Sequence, residues 1–207
     1  MIDQSFENGL LTLTLNRPEK ANSLTKVMLE QLDAAIADAG AARAMILTGV
    51  GKVFSAGADL EEAQAGLATD PVWERLSARL AALPCLTIAA LNGTLAGGAM
   101  GMVLACDLRI AVPTAKLFYP VMKLGFLPQP SDPARMSALI GPARTKMILM
   151  AGQKVEAAEA LSWGLIDRIT PPEMLLETAQ ALAADSLAAT PAHVAGIKHL
   201  VPGLAKG

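Results

Sequence analysis

The stretch NGTLAGGAMGMVLACD, Asn92 to Asp107, follows the hydrophobic run CLTIAAL and opens an apolar helix with a glycine pair, Gly97 and Gly98. A third glycine, Gly101, stands one turn inside that helix. Glycine within a helix costs about 1 kcal/mol relative to alanine, so each position asks for a reason. The first N–H groups of a helix are unpaired donors, and a residue without a side chain lets a polar ligand atom come within bonding range. The same order of strand, glycine loop and helix occurs earlier, at GKVFSAGADL, Gly51 to Leu60. Two such loops offer two sets of backbone donors. The plainer reading, that small residues simply let a helix pack closely on a sheet, stays open on spacing alone.

On both sides of this stretch the pattern alternates as in α/β proteins. Ile2 to Phe6 and Leu10 to Leu15 flank Asn8-Gly9, a hairpin signal, and LLTLTL has period two. Met28, Leu32, Ala35, Ile36 and Ala39 recur at helical spacing, with Gly40 as the expected stop. Ala44 to Thr48, Leu86 to Leu91 and Leu108 to Ala111 read as strands, and Val72 to Leu83 as a helix. After Pro128 the chain is mainly helical; Asp132-Pro133 reads as an N-cap followed by proline at the first helical position, and Gly152 and Gly164 as later helix stops.

Composition narrows the function classes. The chain has 207 residues, consistent with one domain, and is 53% hydrophobic with a mean hydropathy of +0.41. Its apolar stretches are broken by Pro84, Asn92 or Asp107 before they reach the ~20 residues of a membrane span. MIDQSFENG has neither a basic start nor an apolar core, and Cys85 and Cys106 lack CxxC spacing, so a cytoplasmic protein with reduced core cysteines is expected. A net charge of -2 with 3% aromatic residues argues against nucleic acid as the main partner. AGGAMG lacks the first glycine of GxGxxG, and Val53 follows the lysine of GVGKVF where a P-loop needs Ser or Thr. There is no GxSxG elbow, and His193 and His199 form no metal-ligand pattern; both read as helix-surface residues.

FSAGADL (Phe54 to Leu60), NG-x3-GG (Asn92 to Gly98) and ACDLRIA (Ala105 to Ala111) together resemble the crotonase superfamily, the enoyl-CoA hydratase/isomerase family. LTLNRPEKANSLT, LGFLPQP and EALSWGLIDRI fit the same resemblance, which runs from about Gly9 to Ile169. It implies a crotonase-like (ClpP/crotonase) α/β fold, a spiral of ββα units with a C-terminal helical segment. Residues 1–170 would form the acyl-CoA-binding core, and residues 171–207 a short helical segment for oligomerisation or pocket cover. Typical members are longer at this end. Homotrimers or hexamers are the family expectation.

The resemblance also implies an oxyanion hole for a thioester oxygen, whose N–H donors fall on Ala58 and Gly98. Gly97 would leave room for the thioester. Coenzyme A, bound as part of the substrate and not as a separate cofactor, would lie along Lys20, Ala21 and Leu24 and along Ala56, Ala58, Asp59 and Leu60. Lys20 could meet a phosphate. Asp59 also reads as the cap of a helix beginning at Leu60, and Asp107 as structural.

Hydratases of the family use two glutamates, and their positions here carry Gly101 and Val121. Hydration needs a base for water and an acid for the α-carbon, which neither residue supplies. Gly101 could instead make space for an acyl group or a neighbouring side chain. The candidate replacements are Asp132, equally readable as an N-cap, and Tyr119, equally readable as core. Gln129 can orient but not act as a base; Glu61 and Glu62 suit a helix N-terminus; Met100, Met102 and Met122 could line an acyl pocket or fill core. Three readings compete: a thioester-enolate enzyme (isomerase, hydrolase, decarboxylase or weak hydratase), a catalytically reduced acyl-CoA binding protein, and a nucleotide-binding α/β domain.

Overall fold

Asn8 and Gly9 both take left-handed backbone angles, φ +51° and +85°, as a two-residue hairpin turn of type I′ requires. They join β1 (Ile2–Glu7) to β2 (Leu10–Leu15) in antiparallel register, Ile2 opposite Leu15. The computed structural model describes residues 1–201. From β2 the chain runs through α1 (Lys26–Ala37) to β3 (Ala44–Gly49) and then repeats one unit: a long strand, a short strand, helix. The first repeat is β3, β4 (Val53–Ser55), α2 (Leu60–Gln64) and α3 (Val72–Ala81). The second is β5 (Leu86–Leu91), β6 (Thr94–Ala96) and α4 (Met100–Ala105). The third is β7 (Leu108–Ala111), β8 (Lys116–Phe118), α5 (Val121–Leu124) and α6 (Asp132–Leu149). There follow β9 (Val155–Glu156), α7 (Ala157–Trp163), β10 (Arg168–Ile169), α8 (Leu175–Ala188) and α9 (Pro191–Leu200).

Each unit gives its long strand to one sheet and its short strand to another. The large sheet has the order β1-β2-β3-β5-β7-β10, parallel from β2 onward. The small one has the order β4-β6-β8-β9, with β4, β6 and β8 parallel and Ser55 paired with Leu95. This is the spiral of ββα units expected of a crotonase fold. β3 and β5 are almost wholly buried because both sheet faces are covered, as parallel strands require. On one face α8 packs its buried Leu175, Ala179 and Ala183 against β3, β5 and β7. On the site side α3 packs on α4, and α4 on α6. Lys198 of α9 reaches Asp107 at 2.7 Å and the Cys85 carbonyl at 2.8 Å. Residues 202–207 of the expected C-terminal segment lie outside the described residues.

Three local expectations change. α1 ends at Ala37, and Gly40 sits in a separate 3-10 turn, Ala39–Ala41, so it is not the helix stop. The three-residue strands β4, β6 and β8 build a second sheet that no periodicity announced. Asp132 does not cap α6: Ser131 occupies the N-cap position, and the Asp132 carboxylate turns into the core. α6 is also interrupted at Gly141, φ +79°, just before Pro142.

Candidate active site

The two glycine loops meet edge to edge. A Cβ at Gly57 would lie 2.9 Å from the Ala96 carbonyl and 3.3 Å from the Gly97 Cα, and both glycines have positive φ, +92° and +58°. Any side chain at Gly57 would therefore push the loops apart. Ala58 and Gly98 follow them, both half-buried and so still reachable from solvent. Leu24 N–H donates to the Gly57 carbonyl and Asp59 N–H to the Leu24 carbonyl, which bracket Ala58 and turn its own N–H away from the ladder. Gly98 lies in the 3-10 turn Gly97–Ala99 that opens α4, where a helix has no internal acceptor for its N–H.

Buried polar contacts hold this backbone. Asn22, fully buried at φ +51°, accepts from Arg17 N–H and donates to the Val50 and Val53 carbonyls. Ser55 donates to the Asn22 carbonyl at 2.8 Å and accepts from Gly57 N–H at 3.1 Å. Ala56 N–H donates to the Ala21 carbonyl at 3.0 Å. Asp59 caps α2 through Glu61 and Glu62 N–H and pairs with Arg17 at 2.7 Å. The Arg17 guanidinium, helped by those N–H groups and opposed by partial burial, holds the Asp59 carboxyl below its usual range. Asp59 thus has the capping role that the sequence suggests. Ala21, Leu24, Ala56, Ala58 and Asp59 are brought onto one strip, with Leu24 buried, Leu60 exposed at its end and Lys20 exposed nearby on a 3-10 turn.

The other wall carries side chains. Asp132 is fully buried; its Oδ2 accepts a 3.0 Å hydrogen bond from the Tyr119 hydroxyl. Its Oδ1 has no partner among the described residues. A Cβ at Gly101 would lie 2.8 Å from that Oδ1 and 3.2 Å from Oδ2. The carboxylate therefore occupies the space that a side chain at Gly101 would need. Burial pushes the Asp132 carboxyl up to about 7, opposed by the Tyr119 hydrogen bond and Arg135 and reinforced by Glu74. Burial and the Asp132 charge push the Tyr119 phenol up, so it donates and does not ionise. The start of α6 is tied to α3: Ser131 N–H and hydroxyl both donate to Glu74, and Arg135 donates to Ser77 at 2.9 Å.

Other candidates fall elsewhere. Val121 is buried and Met122 exposed on α5, while Met100 and Met102 are core of α4. Gln129 donates its N–H to the Tyr119 oxygen and its side-chain amide to the Ala68 carbonyl, both at 3.4 Å. Asp107 accepts from Thr87 N–H, Thr87 Oγ1 and Lys198. His193 and His199 are exposed. Burial pushes the Cys85 thiol up to about 11 and the Cys106 thiol up to about 12, so neither is a ready thiolate. Among the described residues no helix is long and apolar enough to cross a membrane, and no cluster of metal-ligand residues occurs. Two surface cavities, about 280 Å³ beside Lys26, Glu62 and Asp70 and about 440 Å³ between α8 and α9, include neither Ala58 nor Gly98 in their linings. One neighbour of the donors carries no signal in the sequence. Trp73, 3% exposed, lays its ring against Gly98, where an added Cβ would meet three ring carbons at 3.3 Å.

With two backbone donors on adjoining loops and a buried carboxylate beyond them, the arrangement has the parts of a site that stabilises negative charge on oxygen while a proton moves. The chain belongs to the enoyl-CoA hydratase/isomerase family, whose model matches residues 5–203. It is 34% identical to the 1,2-epoxyphenylacetyl-CoA isomerase of Escherichia coli over 189 residues, 86% of this chain and 72% of that protein. Among solved structures it is similar to the enoyl-CoA hydratase EchA8_6 of Mycobacterium marinum, with TM-score 0.87, 32% identity, 96% of this chain and 97% of that one. Pseudomonas aeruginosa PA4980 superposes with TM-score 0.88 at 31% identity, covering 97% and 90%.

Proposed function

We propose that this chain is a CoA-thioester isomerase that moves a proton along an enoyl group through one carboxylate, Asp132. The observation that carries the reading is the unpartnered, buried Asp132 Oδ1 in the place of a Gly101 side chain. The thioester oxygen is held by the N–H groups of Ala58 and Gly98, with Gly97 giving clearance, and the pantetheine follows the strip Ala21, Leu24, Ala56, Asp59 and Leu60. Lys20, exposed at its end, meets a phosphate. Asp132 as carboxylate takes a proton from the carbon next to the thioester or from its vinylogous carbon. The electron pair moves onto the thioester oxygen, and the carboxylic acid then returns the proton at the other end of the conjugated system. One base used twice balances such a shift, whereas hydration needs a second group for the water. A carboxyl near neutrality suits that double duty. Tyr119 orients Asp132 without itself exchanging the proton.

The test is turnover of 3-enoyl-, 2-enoyl-, 3-hydroxyacyl- and malonyl-type CoA thioesters, with solvent-deuterium exchange at the acyl carbons as a second readout. Isomerisation with exchange, both lost in Asp132→Asn, supports the reading. Fast hydration of crotonyl-CoA, or full activity in that variant, overturns it; binding without exchange would leave an acyl-CoA binding protein. A homotrimer, or two trimers paired, is the assembly we propose, because Met122, Leu124, Phe126 and Leu127 form an exposed apolar run around α5. Light scattering at the mass of one 21.4 kDa chain would refute it.

A further inference from the structure

We infer that Trp73 sets the depth of the acyl site and restricts this chain to short acyl groups. The inference rests on the thioester oxygen being held at Ala58 and Gly98. Three buried side chains, Trp73, Asp132 and Tyr119, then stand beside the donor helix α4. Trp73 closes the side facing Gly98, with three ring carbons at 3.3 Å from an added Cβ. Asp132 and Tyr119 close the side facing Gly101. Asp132 is committed to the proton and Tyr119 to orienting Asp132, so Trp73 is the side chain whose size is free to set the limit.

Trp73 is also fixed in place. It stands in the first turn of α3, and its indole N–H donates to the Leu67 carbonyl at 2.8 Å. Leu67 itself is buried. Swinging the ring aside would strand the indole N–H, while the Leu67 carbonyl would keep only Asp70 N–H at 3.1 Å, so a long acyl chain cannot displace the ring without loss. Glu74, the next residue, holds the Ser131 N–H and hydroxyl at the start of α6. The first turn of α3 therefore ties the limit on acyl length to the helix that carries Asp132.

In an open channel each added methylene tightens binding about four-fold, the factor that corresponds to about 0.8 kcal/mol. Behind Trp73 that gain should stop at a short chain. The experiment is a titration of the full chain with CoA and with butyryl-, hexanoyl-, octanoyl- and dodecanoyl-CoA, for the wild type, Trp73→Leu and Trp73→Phe. The wild type is expected to bind octanoyl-CoA no better than butyryl-CoA. Trp73→Leu should raise the octanoyl-to-butyryl affinity ratio at least ten-fold while leaving CoA itself unchanged. Trp73→Phe, which loses the indole N–H but keeps a ring, should hold close to the wild-type ratio. A structural role alone would shift CoA and every thioester together.

Two results overturn the inference: wild-type affinity that climbs steadily to dodecanoyl-CoA, or a ratio unchanged in a Trp73→Leu protein that still binds butyryl-CoA. If Trp73→Leu does not fold, Trp73→Met is measured in its place with the same expectation. Failure of the wild type to bind CoA and all four thioesters overturns instead the reading of the site on which the inference stands.

Discussion

The two walls of the site are built from different materials. The loop wall, Ala56 to Ala58 against Gly97 and Gly98, presents backbone N–H groups and is held by Asn22, Ser55, Arg17 and Asp59 beneath it. The helix wall presents side chains, and there the carboxylate stands on α6 while the position on α4 is a glycine. A backbone donor survives almost any substitution that preserves the turn, since every residue but proline carries an N–H. A side-chain acid or base survives none, yet it can be supplied from any element that reaches the same space. The backbone wall therefore depends on the shape of the turns, and the side-chain wall on which element reaches the space beside Gly101.

The contrast breaks first at Asp132. Asp132→Asn should lower isomerisation by 10²–10⁴-fold, the usual share of a general base, with CoA affinity unchanged in titration. The same variant tests the burial of the charge. Asp132 is raised from 3.8 to about 7, so its stabilising effect is full below about pH 4 and is lost as pH climbs through 7. Wild-type melting temperature should therefore fall between about pH 4 and 7 relative to Asp132→Asn, by the equivalent of a few kcal/mol. Gly101→Ala comes next: a Cβ 2.8 Å from Oδ1 overpacks the helix wall and should cost about 1–3 kcal/mol in urea unfolding. Pairing it with Asp132→Ala should recover most of that loss. On the loop wall, Asp59→Ala removes a helix cap and a partly exposed ion pair, about 1–2 kcal/mol, and should weaken CoA binding without altering the pH profile. The smallest effect belongs to Tyr119→Phe. Its hydrogen bond lowers the Asp132 value, so its loss should move the midpoint of the activity profile to higher pH, by about one unit or less.

The elements legible in the sequence were those long enough to show a period or bounded by a strong turn. The Asn8-Gly9 hairpin, β5 and β7 fall where the residues place them, because six alternating residues beside a strong turn, or short mainly apolar runs between breakers, leave few options. β4, β6 and β8 have three residues each, too few to carry a period, and only pairing with one another makes them strands. The glycine loops were legible as a pair because the sequence order of strand, glycine and helix occurs twice. Asp132 was visible only as an ambiguity: Asp-Pro is a helix-start signature whichever way the carboxylate points, and the void at Gly101 that draws it inward lies thirty-one positions away. Trp73 gave no signal, since an aromatic residue opening an amphipathic helix reads as core until the helix is seen to lie against Gly98.

The pairing of Ser55 with Leu95 has a metric consequence. Counted from that pair, Gly57 and Gly97 both stand two residues on, and Ala58 and Gly98 both three. Ala58 and Gly98 occupy the same phase on successive turns of the spiral, on loops that leave neighbouring strands spaced about 4.8 Å apart. The coil of the chain works as a ruler, and the two glycine loops are among its graduations.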